Sequence, residues 1–423
     1  MNTNAELTQR RTAAMPRGIG ILCNFHAAQA DNALLTDAEG RQYIDFAAGI
    51  AVLNTGHRHP RVVGAIRQQL LRFTHTAFQV VPYENAIALA ERLNALAPIE
   101  KPAKTALFTT GVEAVENAVK IARYATGRSA LIAFSGAFHG RTLLGLSLTG
   151  KMVPYKSGFG SMVPEVHHLP FPAPTLGVSV QDALDALARL FKADVDAQRV
   201  AAIVIEPVQG EGGFHPAPPA LLEALRTVCD AHGILLIADE VQSGFGRTGR
   251  WFAMEHHSVQ ADLICMAKSL GGGLPLAAVT GRAQVMDAPP PGALGSTYAA
   301  NPLSVAAAHA VLDIIDEQQL CARAGHLGAR LMARLRALQE HDAGIAEVRG
   351  LGSMVAVELR HPGSHAPDPE RVAAVVQAAM AQGLLLLPCG VHGNVLRFLY
   401  PLTIEEPLFE RALDILDKVL GRE

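Results

Sequence analysis

Short, wholly apolar runs separated by amphipathic stretches of helical period dominate the first three quarters of the chain. Ala130–Phe134 (ALIAF), Val200–Pro207 (VAAIVIEP), Ile234–Ala238 (ILLIA) and Leu263–Ala267 (LICMA) show no polar alternation and are bounded by glycine, proline or a charged residue. Such runs read as strands buried on both faces of a parallel sheet. Between them lie helical patterns: residues 61–97 with a break at Pro82, Val112–Thr126 closed by Gly127, Gln181–Phe191, and Pro216–His232. Thr105–Thr110 alternates as a strand, and Leu276–Arg282 is a further one. Lys151–Pro174 is aperiodic and rich in proline, glycine and histidine, the character of a long functional or interface loop.

The two ends of the chain read differently. Ala33–Tyr43 has the pattern of a hairpin. From about Ala310 a long helical pattern runs to Gln339, followed by an alternating pair, Glu347–Leu359. A loop (His361–Pro369), a helix (Glu370–Gln382), LLLLPCG, VLRFLYP and a last helix complete it. The expected architecture is α/β. A large domain over 57–310 carries a mostly parallel central sheet flanked by helices. A smaller α+β domain covers 311–423, and an N-terminal segment, 1–56, packs with it.

Composition narrows the partners. A chain of 423 residues, 49% apolar and 18% charged, buries a core too large for one ordinary domain. The net charge of −3 argues against nucleic acid and anionic membrane surfaces. The five cysteines are scattered with no zinc spacing, and no metal is expected at the histidine pairs or at His57 and His59. No apolar run approaches the about 18 residues a membrane span needs. The N-terminus has no apolar segment after Arg10-Arg11, so a cytoplasmic enzyme is expected. The signatures of dinucleotide, P-loop, zincin and nucleophile-elbow sites are absent.

Candidate chemistry lies where the apolar runs stop. Asp239 and Lys268 each follow one directly, and ligands of open α/β sheets bind beyond such carboxyl ends. Asp239 is either a helix cap or a functional carboxylate; Lys268 is either a surface lysine or a desolvated, imine-forming amine. Together they suit pyridoxal phosphate, which needs a Schiff-base lysine and an acid beside its ring nitrogen. Thr110-Gly111 before a helix is an ordinary βα turn or an anion cup. Phe138 is a core aromatic or a stacking ring. Arg141 offers a fork for a carboxylate. Glu206 and Glu211, at and just after a buried strand, can form an acid–base pair. Arg397 in an apolar strand needs a partner or a ligand and is a candidate for an α-carboxylate.

These residues sit in longer blocks: DEVQSGFGRTG (239–249), AKSLGGGLP (267–275), GHRHP (56–60), TTGVEAVENAVKIAR (109–123), SGAFHGRT (135–142), IEPVQGEGG (205–213) and TYAANPL (297–303). Across nearly the whole chain they resemble the class III (omega-amino acid) aminotransferases, pyridoxal phosphate enzymes of fold type I. The resemblance implies that Lys268 bonds the cofactor and shuttles a proton, and that Asp239 meets the pyridinium. It implies that Val241 and Phe138 pack on opposite faces of the ring, with His139 beside it, and that Gln242 bonds the ring hydroxyl. The backbone of Gly111 and Val112 holds the phosphate; many relatives carry serine or alanine at the latter position and tyrosine at Phe138. Thr297 reaches the phosphate of a neighbouring subunit in a dimer or larger homo-oligomer. Ile50 lies at the pocket mouth, and Arg141 takes the distal carboxylate of the substrate. Glu211 neutralises Arg397 and swings away when an α-carboxylate arrives. The implied reaction moves the terminal amine of 4-aminobutyrate to 2-oxoglutarate. Other omega-amino acids (5-aminovalerate, ornithine, β-alanine) are the alternatives, with an aminomutase or racemase behind them.

Overall fold

The structure, a computed structural model, describes residues 2–421. A seven-stranded sheet runs through its centre in the order Ala103–Phe108, Ala277–Arg282, Leu263–Met266, Leu235–Asp239, Val200–Ile205, Ala130–Phe134, Val166–Leu169. Only Ala277–Arg282 is antiparallel to its neighbours; the other pairs are parallel. The apolar runs are therefore central strands, as their lack of alternation requires.

The period of two divides this sheet into two cores. Ile132, Ile203, Leu236, Ala238, Ile264 and Ala278 point to one side, against helices Glu84–Leu96, Val180–Ala193, Pro219–His232 and Pro302–Glu317. Leu131, Ala133, Val204, Leu235, Ile237, Leu263 and Val279 point to the other, against the helix Gly111–Thr126. Asp239 continues the Leu235, Ile237 set and so faces the side covered by that helix. Its Thr110 hydroxyl accepts from the Glu113 amide, and Gly127 ends it at φ 68°, a left-handed cap.

A second sheet is antiparallel and lies in the C-terminal part: Ile345–Leu351, Met354–Leu359, Val395–Phe398, Leu387–Cys389. It packs on the helices Leu320–His341, Pro369–Ala381 and Glu406–Leu420 through a separate apolar cluster that also takes Ala33, Ile44 and Phe46. The N-terminal strands Ala27–Asp31, Leu34–Asp37 and Gln42–Asp45 are joined by Leu384–Leu385, which pairs parallel to Ile44 and Asp45.

Three expectations are corrected. The helical pattern from Ala310 to Gln339 is two helices, Pro302–Glu317 and Leu320–His341, because Gln319 takes φ 51° and turns the chain. The turn falls in the polar, exposed stretch 316–319, where the apolar period is interrupted. LLLLPCG is split between two sheets, Leu384–Leu385 in one and Leu387–Cys389 in the other. The stretch Lys151–Pro174 contains an edge strand, Val166–Leu169, whose two histidines hide its period. Among the described residues no helix is long and apolar enough to cross a membrane.

Candidate active site

Asp239 ends its strand at the register of Cys265 on the adjacent parallel strand, and Lys268 follows three residues later. Both line a cavity of about 510 Å³, together with Gly111, Val112, Phe138, His139, Arg141, Glu206, Glu211, Val241 and Gln242. Twelve of the fourteen residues singled out from sequence thus meet at one edge of the sheet or touch a residue that does, Arg397 through Glu211. Ile50 and Thr297 do not: both are exposed and outside this cavity.

Lys268 holds φ 46°, a left-handed value that a non-glycine residue adopts at a cost of about 1–3 kcal/mol. The turn Lys268–Gly271 follows at once, so the backbone leaves the sheet and the amine enters the cavity wall. Burial holds the ammonium below its ordinary range, in spite of the charges of Glu211 and Asp239. A neutral amine is thereby favoured.

Asp239 is 5% exposed and is held at both oxygens. His139 Nδ1 bonds Oδ2 at 2.7 Å, and the Val241 amide donates to Oδ1 at 3.1 Å. Burial opposes the His139 imidazolium, but the hydrogen bond and charge of Asp239 outweigh it and raise its pKa. Glu206 accepts from the Phe138 and Gly210 amides, each at 2.9 Å. Burial, with the Asp239 charge adding, lifts its carboxyl to about 7. Glu211 and Arg397 form a two-pronged pair at 2.5 and 3.1 Å. Burial works against the Glu211 carboxylate, yet Arg397 holds it below the ordinary range. The two glutamates are therefore engaged separately.

The donor set fits pyridoxal phosphate. The Gly111 and Val112 amides are the first of their helix and have no partner within it, beside the positive end of its dipole. A Cβ on Gly111 would fall 2.8 Å from Val241 Cγ1, so glycine keeps the floor of the cup open. Gln242 Oε1 and His139 Nε2 are buried without a hydrogen-bond partner among the described residues. Phe138 and Val241 supply apolar walls. An anion cup, a carboxylate, an amine and two apolar walls match the phosphate, ring nitrogen, aldehyde and faces of that cofactor.

Two residues here were not legible beforehand. Tyr155 packs at a tilt against Phe138 (centroids 5.1 Å apart) and under Arg141, whose guanidinium carbon lies 5.0 Å from the ring. It comes from the aperiodic stretch, where no pattern shows which side chain turns inward. Glu240 is fully buried beside Asp239 and accepts from Ser243 Oγ, Ala253 N and Met254 N at 2.7–2.8 Å. Burial raises its carboxyl to about 7. An unfolded glutamate titrates near about 4.3. Between those values the native state keeps a proton that the unfolded chain has released, so this group's contribution to stability falls as pH rises through the window. Glu240→Gln cannot titrate. Urea unfolding should show it gaining on the parent by about 2–3 kcal/mol between about pH 5 and pH 8. The lost acceptor is a constant offset and cancels; an unchanged difference would contradict the shift.

Comparison with known proteins gives the family. The class-III aminotransferase sequence pattern matches residues 17–420. The chain is 52% identical over 416 residues to the 5-aminovalerate aminotransferase of Pseudomonas putida, covering 98% of each. It is 52% identical over 419 residues to the 4-aminobutyrate aminotransferase of Escherichia coli, covering 99% of this chain and 98% of that one. The crystal structure of the ornithine aminotransferase from Toxoplasma gondii superposes with a TM-score of 0.88 at 30% identity, over 99% of this chain and 95% of that one. With its central sheet, its lysine and carboxylate at adjacent strand ends, and a match that runs nearly end to end, the chain belongs to the class-III aminotransferase family.

Proposed function

We propose that the protein transfers the terminal amine of a short omega-amino acid, 4-aminobutyrate foremost and 5-aminovalerate next, to 2-oxoglutarate. The observation that carries this reading is the meeting of Lys268 and Asp239 in a cavity that also presents two arginines' worth of carboxylate recognition, Arg141 in its lining and Arg397 behind Glu211. Pyridoxal phosphate, when bound, supplies an aldehyde that captures amines and a ring that accepts the electron pair left by C–H cleavage.

The chain's own residues then divide the work. The Gly111 and Val112 amides bind the phosphate, and Phe138 and Val241 hold the ring between them. Asp239, oriented by His139, keeps a negative charge beside the ring nitrogen and so holds its proton in place. Gln242 bonds the ring hydroxyl. Lys268 would hold the cofactor between turnovers, and its freed amine would carry the proton from the substrate's amine-bearing carbon to the carbon on the other side of the amine nitrogen. Arg141 orients the distal carboxylate. Arg397 takes the α-carboxylate of glutamate, and Glu211 neutralises it when the substrate has none, since an uncompensated buried charge costs about 3–5 kcal/mol.

Thr297 completes the phosphate site of a second copy in this reading. Its exposure, and that of Val80, Val81, Ile87 and Tyr298, supports a homo-oligomer with that surface covered. A cytoplasmic setting accords with five free cysteines.

Turnover of amino acids of three to six carbons, with and without 2-oxoglutarate, tests the assignment. Glutamate and a semialdehyde should form only with the keto acid; an isomeric amino acid formed without it would favour an aminomutase. Arg141→Gln should raise KM for 4-aminobutyrate and for glutamate by about 10²-fold, with a smaller effect on kcat, since both present their distal carboxylate to it. An unchanged KM for either would remove Arg141 from the site.

A further inference from the structure

The loop that carries Glu211 is held by a second buried arginine that the reaction itself does not use. In the C-terminal sheet Arg349 lies opposite Ala356, and Ala356 lies opposite Arg397. Directly opposed residues share a face, so both guanidiniums leave the same side of the sheet. They reach the same loop. Arg397 grips the Glu211 carboxylate. Arg349 Nε donates to the Gly213 carbonyl at 2.8 Å, two residues on.

Arg349 is itself fixed. Its Nη1 bonds Glu347 Oε2 at 2.6 Å and Glu358 Oε2 at 2.7 Å, and Glu358 is 4% exposed. The rest of the loop is tied as firmly. The Gly210 amide donates to Glu206 Oε1 at 2.9 Å, and the Gly390 amide donates to the Glu211 carbonyl at 2.9 Å. Gly213 sits at φ 127°, and a Cβ there would come within 3.0 Å of Arg349 Nη2, so only glycine lets the arginine approach. With the backbone held on both sides of residue 211, the part left free to move is its side chain.

We propose that Arg349 is a positioning residue for Glu211: by holding the Gly213 carbonyl it fixes the loop so that the Glu211 carboxylate meets Arg397 whenever no α-carboxylate is present. This rests on the reading of Glu211 and Arg397 given above and extends it to a residue that touches neither substrate nor cofactor. Loosening the loop leaves Arg397 partnerless more often. That handicaps a substrate without an α-carboxylate and spares glutamate, which brings its own.

The test is single-turnover kinetics on the holoenzyme, each half-reaction measured alone, for Arg349→Met and Arg349→Lys. The 4-aminobutyrate half-reaction should slow by about tenfold in Arg349→Met while the glutamate half-reaction stays within about twofold. Arg349→Lys keeps the charge near Glu358 but not the fork, and should shift the ratio in the same direction by less. Binding of glutarate, which has two carboxylates and no amine, should not weaken. Equal slowing of both half-reactions, or no change in their ratio, overturns the proposal. If Arg349→Met does not fold, the ratio in Arg349→Lys decides by the same criterion. Arg397→Gln separates this from the underlying reading. Equal loss in both half-reactions there overturns the gate itself and the proposal with it. Selective loss with glutamate, beside an unmoved ratio in the Arg349 variants, overturns the proposal alone.

Discussion

Lys268→Ala is expected to lower kcat by at least about 10⁴-fold, the largest effect of any single substitution in this chain. Two functions are lost together. The variant has no amine to bond the cofactor's aldehyde, and none to carry the proton at the substrate carbon. The position has no understudy: among the described residues lining the cavity, Lys268 is the only lysine. Arg141 offers a guanidinium, a donor group that does not serve as a base. The measurement is twofold. Borohydride reduction of the parent followed by peptide mapping should mark Lys268 and no other residue, and the variant should take up no covalent label while keeping its circular dichroism. An added small amine should restore part of the proton transfer. Label on another lysine, or activity within about tenfold of the parent, would remove Lys268 from the centre of the chemistry.

The second large effect belongs to Asp239→Asn, expected to reduce kcat by about 10³-fold. The substitution keeps size and hydrogen-bonding capacity but removes the charge, so the contact with His139 persists in altered form. What is lost is the electrostatic hold on the ring nitrogen's proton and with it the ring's capacity to accept electrons. A readout independent of activity follows from the same pair. The charge of Asp239, after its hydrogen bond, raises the His139 pKa against the cost of burial. In the variant the charge is gone while the cost of burial stays, so the His139 pKa should fall relative to the parent. Nitrogen NMR of His139 checks this. An unmoved His139 titration would mean that the Asp239 charge does not govern this site. Taken with the half-reaction ratios for the Arg349 and Arg397 variants, these results would separate residues that act on the bond being broken from those that choose the substrate.

Much of this was legible in the residues because burial leaves a strong trace. A strand covered on both faces has no place for polar alternation, so LLIAD and LICM announce central strands without any tertiary information. A charged residue immediately after such a strand must emerge at the sheet edge where ligands bind, which is why Asp239 and Lys268 stood out. The helix Gly111–Thr126 was legible for a related reason: its cap and its terminal glycine are local chemistry, decided within a few residues.

Other features depend on partners far apart in the chain. That Leu384–Leu385 pairs with Ile44 and Asp45 is a contact across more than three hundred residues, and nothing in LLLLPCG marks where one sheet ends and the next begins. Tyr155 turns inward from a stretch without period, so its place between Phe138 and Arg141 follows from packing alone. Arg349 and Glu358 look like ordinary charges on an alternating pair of strands; only the cross-strand register shows Arg349 aligned with Arg397 and reaching Gly213, with Glu358 bonded to it. The chain's own order of residues thus determined the strands, the helix caps and the two groups that end adjacent strands, because each is set by local burial and local hydrogen bonding. Which charges meet, and which loop they hold, was decided only when strands distant in sequence came into register, since a pair's energy depends on separation in space and sequence distance does not encode it.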